Sequence, residues 1–302
     1  MPDSSYMIGI DIGGTHLRMG AVQADGTVLR HRIESSRQYL TSAQPVEMLT
    51  RAIAGFADET PGKLRGVCIG FPGTVSKDKS TVLSCPNLPS FDGVNIRDAL
   101  AAAVNAPVIV EHEVLLLLTN DLRAHSLQQA DCVMAVYLGT GVGNAMYIHG
   151  RLLEGKNGTS GELGHIPVPD SQTPCPCGNV GCIEPSASGK RLEAIRAVLY
   201  PKAPDFEAMF AAAQGDPEII RYLDHVACAI ATEINILDPD CILLGGGVLS
   251  IANFPYEALL ALICKHARKP YPAESLRFVR LEVDPLQGVR GAGFYAWQRL
   301  AS

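Results

Sequence analysis

The feature that most constrains this chain occurs twice. Tyr6–Asp11 is a continuous apolar run of the kind that forms a buried strand, Gly13-Gly14-Thr15 follows as a turn, and Leu17–Val22 returns as a second strand. In the second half Cys132–Leu138, the glycine-rich Gly139-Thr140-Gly141-Val142-Gly143 and Asn144–Ile148 repeat that layout. A chain of 302 residues is too long for one ordinary core and fits two domains of roughly 150 residues each. One strand–turn–strand unit per half predicts duplicated domains facing each other across a cleft.

The remaining pattern alternates strands with helices, which argues for α/β layers. Asp25-Gly26 predicts a hairpin turn into a strand over Val28–Ile33. Helices are expected over Pro45–Phe56, Ile96–Val104, Tyr256–Lys265 and Gly291–Leu300, with helical patterning throughout 188–237. Strands are expected over Leu64–Phe71, Val108–Glu111, Cys241–Leu244 and Phe278–Val283.

Charge and cysteine usage narrow the function classes. The net charge is −6 and no basic block occurs, so a phosphate-backbone partner such as nucleic acid is not expected. The apolar run Val114–Leu118 is far short of the roughly 20 residues that cross a bilayer. Residues 1–5 lack the charged and apolar regions of a signal peptide, so a cytoplasmic protein is expected. Of nine cysteines, Cys68, Cys85, Cys132, Cys228, Cys241 and Cys264 are scattered and read as small buried residues of a reducing compartment.

The other three cysteines cluster. Cys175, Cys177 and Cys182 lie among Pro174, Pro176, Gly178 and Gly181, shortly after His165. One histidine and three cysteines make the four-ligand set of a closed, structural zinc site. Such a site fastens a loop and performs no chemistry itself. Glu162 and Glu184 flank the ligands, and the histidine nitrogen turned away from the metal is free for a second partner. The cluster reads as a stapled loop that presents carboxylates to a ligand.

Three glycine-rich turns follow strands: Asp11-Ile-Gly13-Gly14-Thr15, Gly139-Thr140-Gly141 and Gly245-Gly246-Gly247. Glycines let backbone approach phosphate oxygens closely, a Thr hydroxyl adds a donor, and Asp11 could hold Mg²⁺ directly or through water. Either of the first two alone could equally be an ordinary hairpin turn, and the third could merely let a helix pack closely. Together, in order and over both halves, they support a nucleotide site.

These segments, with Gly161-Glu-Leu-Gly-His165 and Cys175-Pro-Cys-Gly-Asn-Val-Gly-Cys-Ile-Glu184, resemble the ROK family of the actin-like ATPase superfamily over nearly the whole chain. The resemblance implies two duplicated actin-like (ribonuclease H-like) α/β domains flanking a nucleotide and sugar cleft. It places 1–120 plus about 290–302 in the first domain, and 121–289, with the zinc loop 165–184, in the second. It implies an ATP- and Mg²⁺-dependent kinase for the 6-hydroxyl of a hexose, working as a homodimer. Asp11, Gly13, Gly14, Thr15, Thr140 and Gly141 would then face the phosphates, and Gly246 and Gly247 the adenosine. His165, Cys175, Cys177 and Cys182 would bind zinc, while Glu162, His165, Glu184 and Asn87 would contact the sugar. Gly70-Phe-Pro72, Ser76-Lys-Asp-Lys79, Pro86-Asn-Leu-Pro89, His165-Ile-Pro167, Leu237-Asp-Pro-Asp240 and Phe254-Pro255 are similar to the allose-phosphorylating branch, which implies D-allose as the sugar.

One segment departs from the pattern. Where the family places an Asn-Asp-x-Asn-like segment with the catalytic Asp, this chain has His112-Glu113-Val114-Leu115. Glu113 keeps the carboxylate on a side chain one methylene longer, and His112 stands for the Asn beside the sugar. A base must reach within about 2.6–3.2 Å of the hydroxyl it deprotonates. Three outcomes are open: a kinase whose backbone accommodates Glu113, a kinase for another hexose or N-acylhexosamine (glucose, fructose, N-acetylmannosamine), or a weakly catalytic sugar-binding sensor.

Overall fold

The first part of the chain forms β1 (Ser5–Ile12), β2 (His16–Val22), β3 (Val28–Ser35), α1 (Arg37–Leu40), α2 (Pro45–Asp58) and β4 (Lys63–Phe71). The short strands β5 (Thr74–Val75), β6 (Thr81–Ser84) and β7 (Val94–Asn95) follow, then α3 (Ile96–Val104), β8 (Val108–His112) and α4 (Glu113–Ala124). Next come β9 (Cys132–Leu138), β10 (Val142–Ile148), β11 (Arg151–Leu152), α5 (Glu184–Ala187), α6 (Gly189–Leu199), α7 (Phe206–Ala212) and α8 (Pro217–Leu237). The chain ends with β12 (Cys241–Gly245), α9 (Tyr256–His266), β13 (Phe278–Arg280) and α10 (Gln287–Leu300). This computed structural model describes residues 5–13, 15–40, 42, 44–85 and 88–301.

The chain divides into two units, one of Met1–Gln128, Glu154–Ser160 and Asp284–Ser302, the other of Gln129–Leu153 and Gly161–Val283. The first unit contains a sheet in the order β3-β2-β1-β4-β8, and the second a sheet in the order β11-β10-β9-β12-β13. In each, the hairpin expected from the repeated motif pairs antiparallel, with Ile10 opposite Met19 and Val136 opposite Asn144. Two further strands then add in parallel, β4 and β8 in the first unit and β12 and β13 in the second. The sequence repeat is therefore a repeat of topology, and the central strands β1, β4, β9 and β12 are buried because both faces of each sheet are covered.

Each unit has its own core. In the first, Leu49, Ile53 and Phe56 of α2 stand at helical spacing and pack with Ile8, Ile10, Val67 and Ile69 of the sheet. In the second, α8 buries Ile219, Tyr222, Leu223, Val226, Ile230 and Ile234 against Met134, Val136 and Ile242. Asp216 caps α8 by accepting the Glu218 N–H at 2.7 Å, and Asp238 ends it in the left-handed region at φ 47°.

Three expectations change. The helical stretch 188–237 is three helices, α6, α7 and α8, because Asp205 and Asp216 each start a new one by capping it. The strand expected over Phe278–Val283 stops at Arg280, since its partner β12 reaches only Gly245 before the chain turns. The last helix begins at Gln287 rather than Gly291, started by Asp284, whose carboxylate accepts the Leu286 N–H at 2.9 Å and whose carbonyl accepts that of Gln287. Among the described residues no helix is long and apolar enough to cross a membrane.

Candidate functional site

In open α/β sheets, ligand-binding groups gather beyond the carboxyl ends of the strands. That is where both units carry the residues singled out by sequence. In the first unit Asp11 lies at the end of β1, and His112 with Glu113 at the end of β8. In the second, Thr140 and Gly141 follow β9, and Gly246 and Gly247 follow β12.

Asp11 is three-quarters or more buried and contacts Arg18 Nη1 at 3.2 Å. Burial pushes its carboxyl above the usual range, and the Arg18 charge and hydrogen bond pull it back. Such a carboxylate favours a positive partner. Gly288, in the first turn of α10, leaves the room beside it: a Cβ there would stand 2.8 Å from Asp11 Cγ. A largely buried acid with a cradle that a side chain would fill fits a cation such as Mg²⁺. Gly13 donates its N–H to the His16 carbonyl at 2.9 Å, so this amide closes the hairpin, while Thr15 is exposed. Gly14 and Asn87 lie outside the described residues.

Glu113 is the first residue of α4 and follows β8 with no connecting loop. An acid suits this first-turn position, where the helix presents unpaired N–H groups. His112 Nε2 lies 3.2 Å from Glu113 Oε2. Burial, and secondarily the Lys79 charge, hold His112 down to about 4, so its imidazole is neutral near pH 7. The contact between the two is therefore polar without adding positive charge beside the acid.

Behind them lies a network that sequence reasoning missed. Glu111 is 2% exposed, and its carboxylate accepts from Lys79 Nζ at 2.7 and 3.0 Å. It also accepts from the Tyr295 hydroxyl at 2.6 Å and from the His112 backbone N–H at 2.9 Å. Lys79 contacts Glu154 as well, at 3.0 Å. Burial, and after it the Glu111 charge, drive Tyr295 far up, so it stays a donor. The network fixes the strand end from which His112 and Glu113 project. A buried acid directly after the apolar run Val108-Ile109-Val110, near the end of the strand, was the one available signal.

In the second unit the cysteine loop folds back on itself. Val168 N–H donates to the Gly181 carbonyl, Gly181 N–H to Thr173 and Cys175 N–H to Asn179, each at 2.8 Å. These turns bring His165, Cys175, Cys177 and Cys182 together with all ligand atoms within 4.8 Å of one another. Cys175 Sγ lies 3.6 Å from His165 Nδ1, and Cys177 Sγ lies 3.7 Å from Cys182 Sγ. Zn–S bonds of about 2.3 Å set tetrahedral neighbours roughly 3.8 Å apart. Those two pairs match the spacing, and the four-residue set is compatible with a structural zinc.

His165 Nδ1 faces the thiols, and its Nε2 lies 3.5 Å from Glu162 Oε2. Burial raises Glu162, His165 lowers it, and the Glu184 charge raises it again. Glu184 accepts the Val142 N–H at 3.0 Å, and a Cβ on Gly141 would stand 2.6 Å from its Oε2. A side chain at 141 would push the Glu184 carboxylate off the Val142 N–H. Glu162, His165 and Glu184 form one polar group, tied directly to the turn after β9. Gly246, at φ 95°, brings the end of β12 against Leu138. Thr140 and Gly247 are exposed.

Known proteins complete the picture. The sequence matches the ROK family over residues 7–299. It is 29% identical over 262 residues to a glucokinase of Thermotoga maritima, covering 80% of this chain and 82% of that one. It is 28% identical over 311 residues to an N-acetyl-D-glucosamine kinase of Erwinia tasmaniensis, covering 95% and 97%. The crystal structure of a ROK family glucokinase from Streptomyces griseus, in complex with glucose and AMPPNP, superposes with a TM-score of 0.79 at 27% identity, covering 97% of this chain and 99% of that one.

Proposed function

The chain belongs to the ROK family, and from that premise we propose that this sugar kinase transfers the γ-phosphoryl group of ATP to the 6-hydroxyl of an aldohexose, with D-allose preferred. The observation that carries the chemistry is Glu113, a carboxylate at the first position of α4 with the neutral His112 imidazole 3.2 Å away. A base needs to be ionised and positioned, and a neutral neighbour orients it without neutralising it. Gly70 on β4 supports this placement by letting the start of α4 pack close: a Cβ there would lie 3.4 Å from the Glu113 Cα and Cβ.

In the proposed reaction Glu113 accepts the 6-hydroxyl proton as that oxygen attacks the γ-phosphorus and the bond to ADP breaks. In the first unit Asp11 would hold Mg²⁺, which supplies charge neutralisation at the phosphates, and Thr15 would donate to them. In the second, Thr140 and Gly141 serve the phosphates, Gly246 and Gly247 the adenosine, and Glu162, His165 and Glu184 accept from or donate to sugar hydroxyls. Zinc on His165, Cys175, Cys177 and Cys182 would fix the loop and the orientation of the His165 ring. Asn87 completes the proposed sugar contacts.

Allose is supported by the branch markers, among them Gly70-Phe-Pro72 and Ser76–Lys79, whose Lys79 holds Glu111. The relatives' names make glucose and N-acetyl-D-glucosamine the competitors. A coupled ADP-release assay with allose, glucose, fructose, N-acetylglucosamine and N-acetylmannosamine tests the reading. The highest kcat/KM on allose supports it; a higher value on any other sugar overturns the allose assignment and leaves the kinase reading intact.

A further inference from the structure

A second cluster of metal-binding side chains lies in the same unit as the cysteine loop, on different elements. Asp224 and Cys228 stand one helical turn apart on α8, so both project from one face. His266 closes α9, the helix packed beside α8. Ligand atoms of the three lie within 4.8 Å of one another, with His266 Nε2 2.7 Å from Asp224 Oδ1. All three are partly exposed, so an ion can reach them without opening the core.

The donor set is chemically selective. A carboxylate oxygen, an imidazole nitrogen and a thiolate sulfur together suit Zn²⁺ and its neighbours, while Mg²⁺ and Ca²⁺ take oxygen ligands. Zinc bonds of about 2.0–2.1 Å to nitrogen and oxygen place tetrahedral neighbours roughly 3.3 Å apart. Asp224 and His266 would part by about 0.6 Å, a side-chain adjustment within one rotamer well. Lys265 Nζ, 4.0 Å from Asp224 Oδ1, is the cation that a metal would displace.

We propose that Asp224, Cys228 and His266 form a second metal site, for Zn²⁺ or a cation of similar softness, with three protein ligands and a fourth position open to water. Three ligands and an open position distinguish it from the closed four-ligand set of the cysteine loop. The ion would crosslink α8 to α9 on the outer side of this unit.

Metal analysis of the full chain after equilibration with micromolar free Zn²⁺ tests the assignment. Two zinc ions per chain are expected, matching the two clusters, and Cys228→Ser or His266→Ala should each lower the count to one. Lys265→Met should bind the second ion several-fold more tightly. A single zinc in the wild-type protein at saturation, or two in both variants, overturns the proposal. Should the variants fold poorly, wild type carrying one zinc per chain, on the closed cysteine-loop set, is titrated with Co²⁺ instead. A thiolate-to-cobalt absorption band that saturates at one cobalt per chain and is lost on adding excess Zn²⁺ supports the site, and no band refutes it.

Discussion

Lys79→Met probes the buried network most sharply. Lys79 is 16% exposed and Glu111 only 2%, so their contact belongs with buried ion pairs. Removing the cation leaves the Glu111 carboxylate with two neutral donors, the Tyr295 hydroxyl at 2.6 Å and the His112 N–H at 2.9 Å. Breaking a buried pair costs about 3–5 kcal/mol because the remaining charge is uncompensated. With two donors retained, the lower end applies, about 3 kcal/mol. At roughly 2–4 °C per kcal/mol for units of this size, that is a drop in Tm of about 6–12 °C. Calorimetry or urea denaturation measures it. Lys79→Met/Glu111→Gln, which removes the stranded charge and keeps an acceptor for Tyr295, should recover most of the loss. A single variant within about 1 kcal/mol of wild type, the range of exposed pairs, would falsify the argument, as would a double variant no better than the single.

Two further outcomes follow from other sites. Burial pushes Glu233 up to about 8, with a hydrogen bond from Asn144 Nδ2 at 2.7 Å opposing the shift. Between about pH 4.5 and 8 the unfolded chain releases this proton while the folded chain keeps it, so stability falls as pH rises. Glu233→Gln should therefore be several kcal/mol more stable than wild type at pH 8 by denaturant melts, with the gap closing near pH 4.5; a constant gap would contradict the buried neutral acid. Cys177→Ser should lower zinc content by one ion per chain and raise the sugar KM more than it lowers kcat, because the loop carries Glu162 and His165; unchanged zinc or an unchanged KM would contradict the staple.

What was legible in the sequence was local. The two hairpins could be read because an uninterrupted apolar strand, a glycine turn and a returning strand fall within seventeen consecutive residues in each copy, 6–22 and 132–148. The gathering of His165, Cys175, Cys177 and Cys182 could be read because three cysteines and the turns that gather them lie in one loop. What could not be read was distant. Lys79 meets Glu111 across 32 positions and Tyr295 meets it across 184, and no periodicity encodes such pairs. Gly288 lies ahead of the helix expected from Gly291, yet its missing side chain is what leaves space beside Asp11. The start of α10 was obscured for the same reason, since Gly288, Gly291 and Gly293 lower helix propensity where close packing requires them.

The central claim is that Glu113 is the base of a sugar kinase. It is tested most directly by measuring ATP-dependent turnover on the best hexose with wild type and Glu113→Gln, alongside sugar affinity by calorimetry. The account predicts robust turnover in wild type, a loss of about 10²–10⁴-fold in kcat for Glu113→Gln, and sugar affinity held within a few-fold. Turnover in Glu113→Gln equal to wild type, or no turnover of any hexose or hexosamine by wild type, would contradict it.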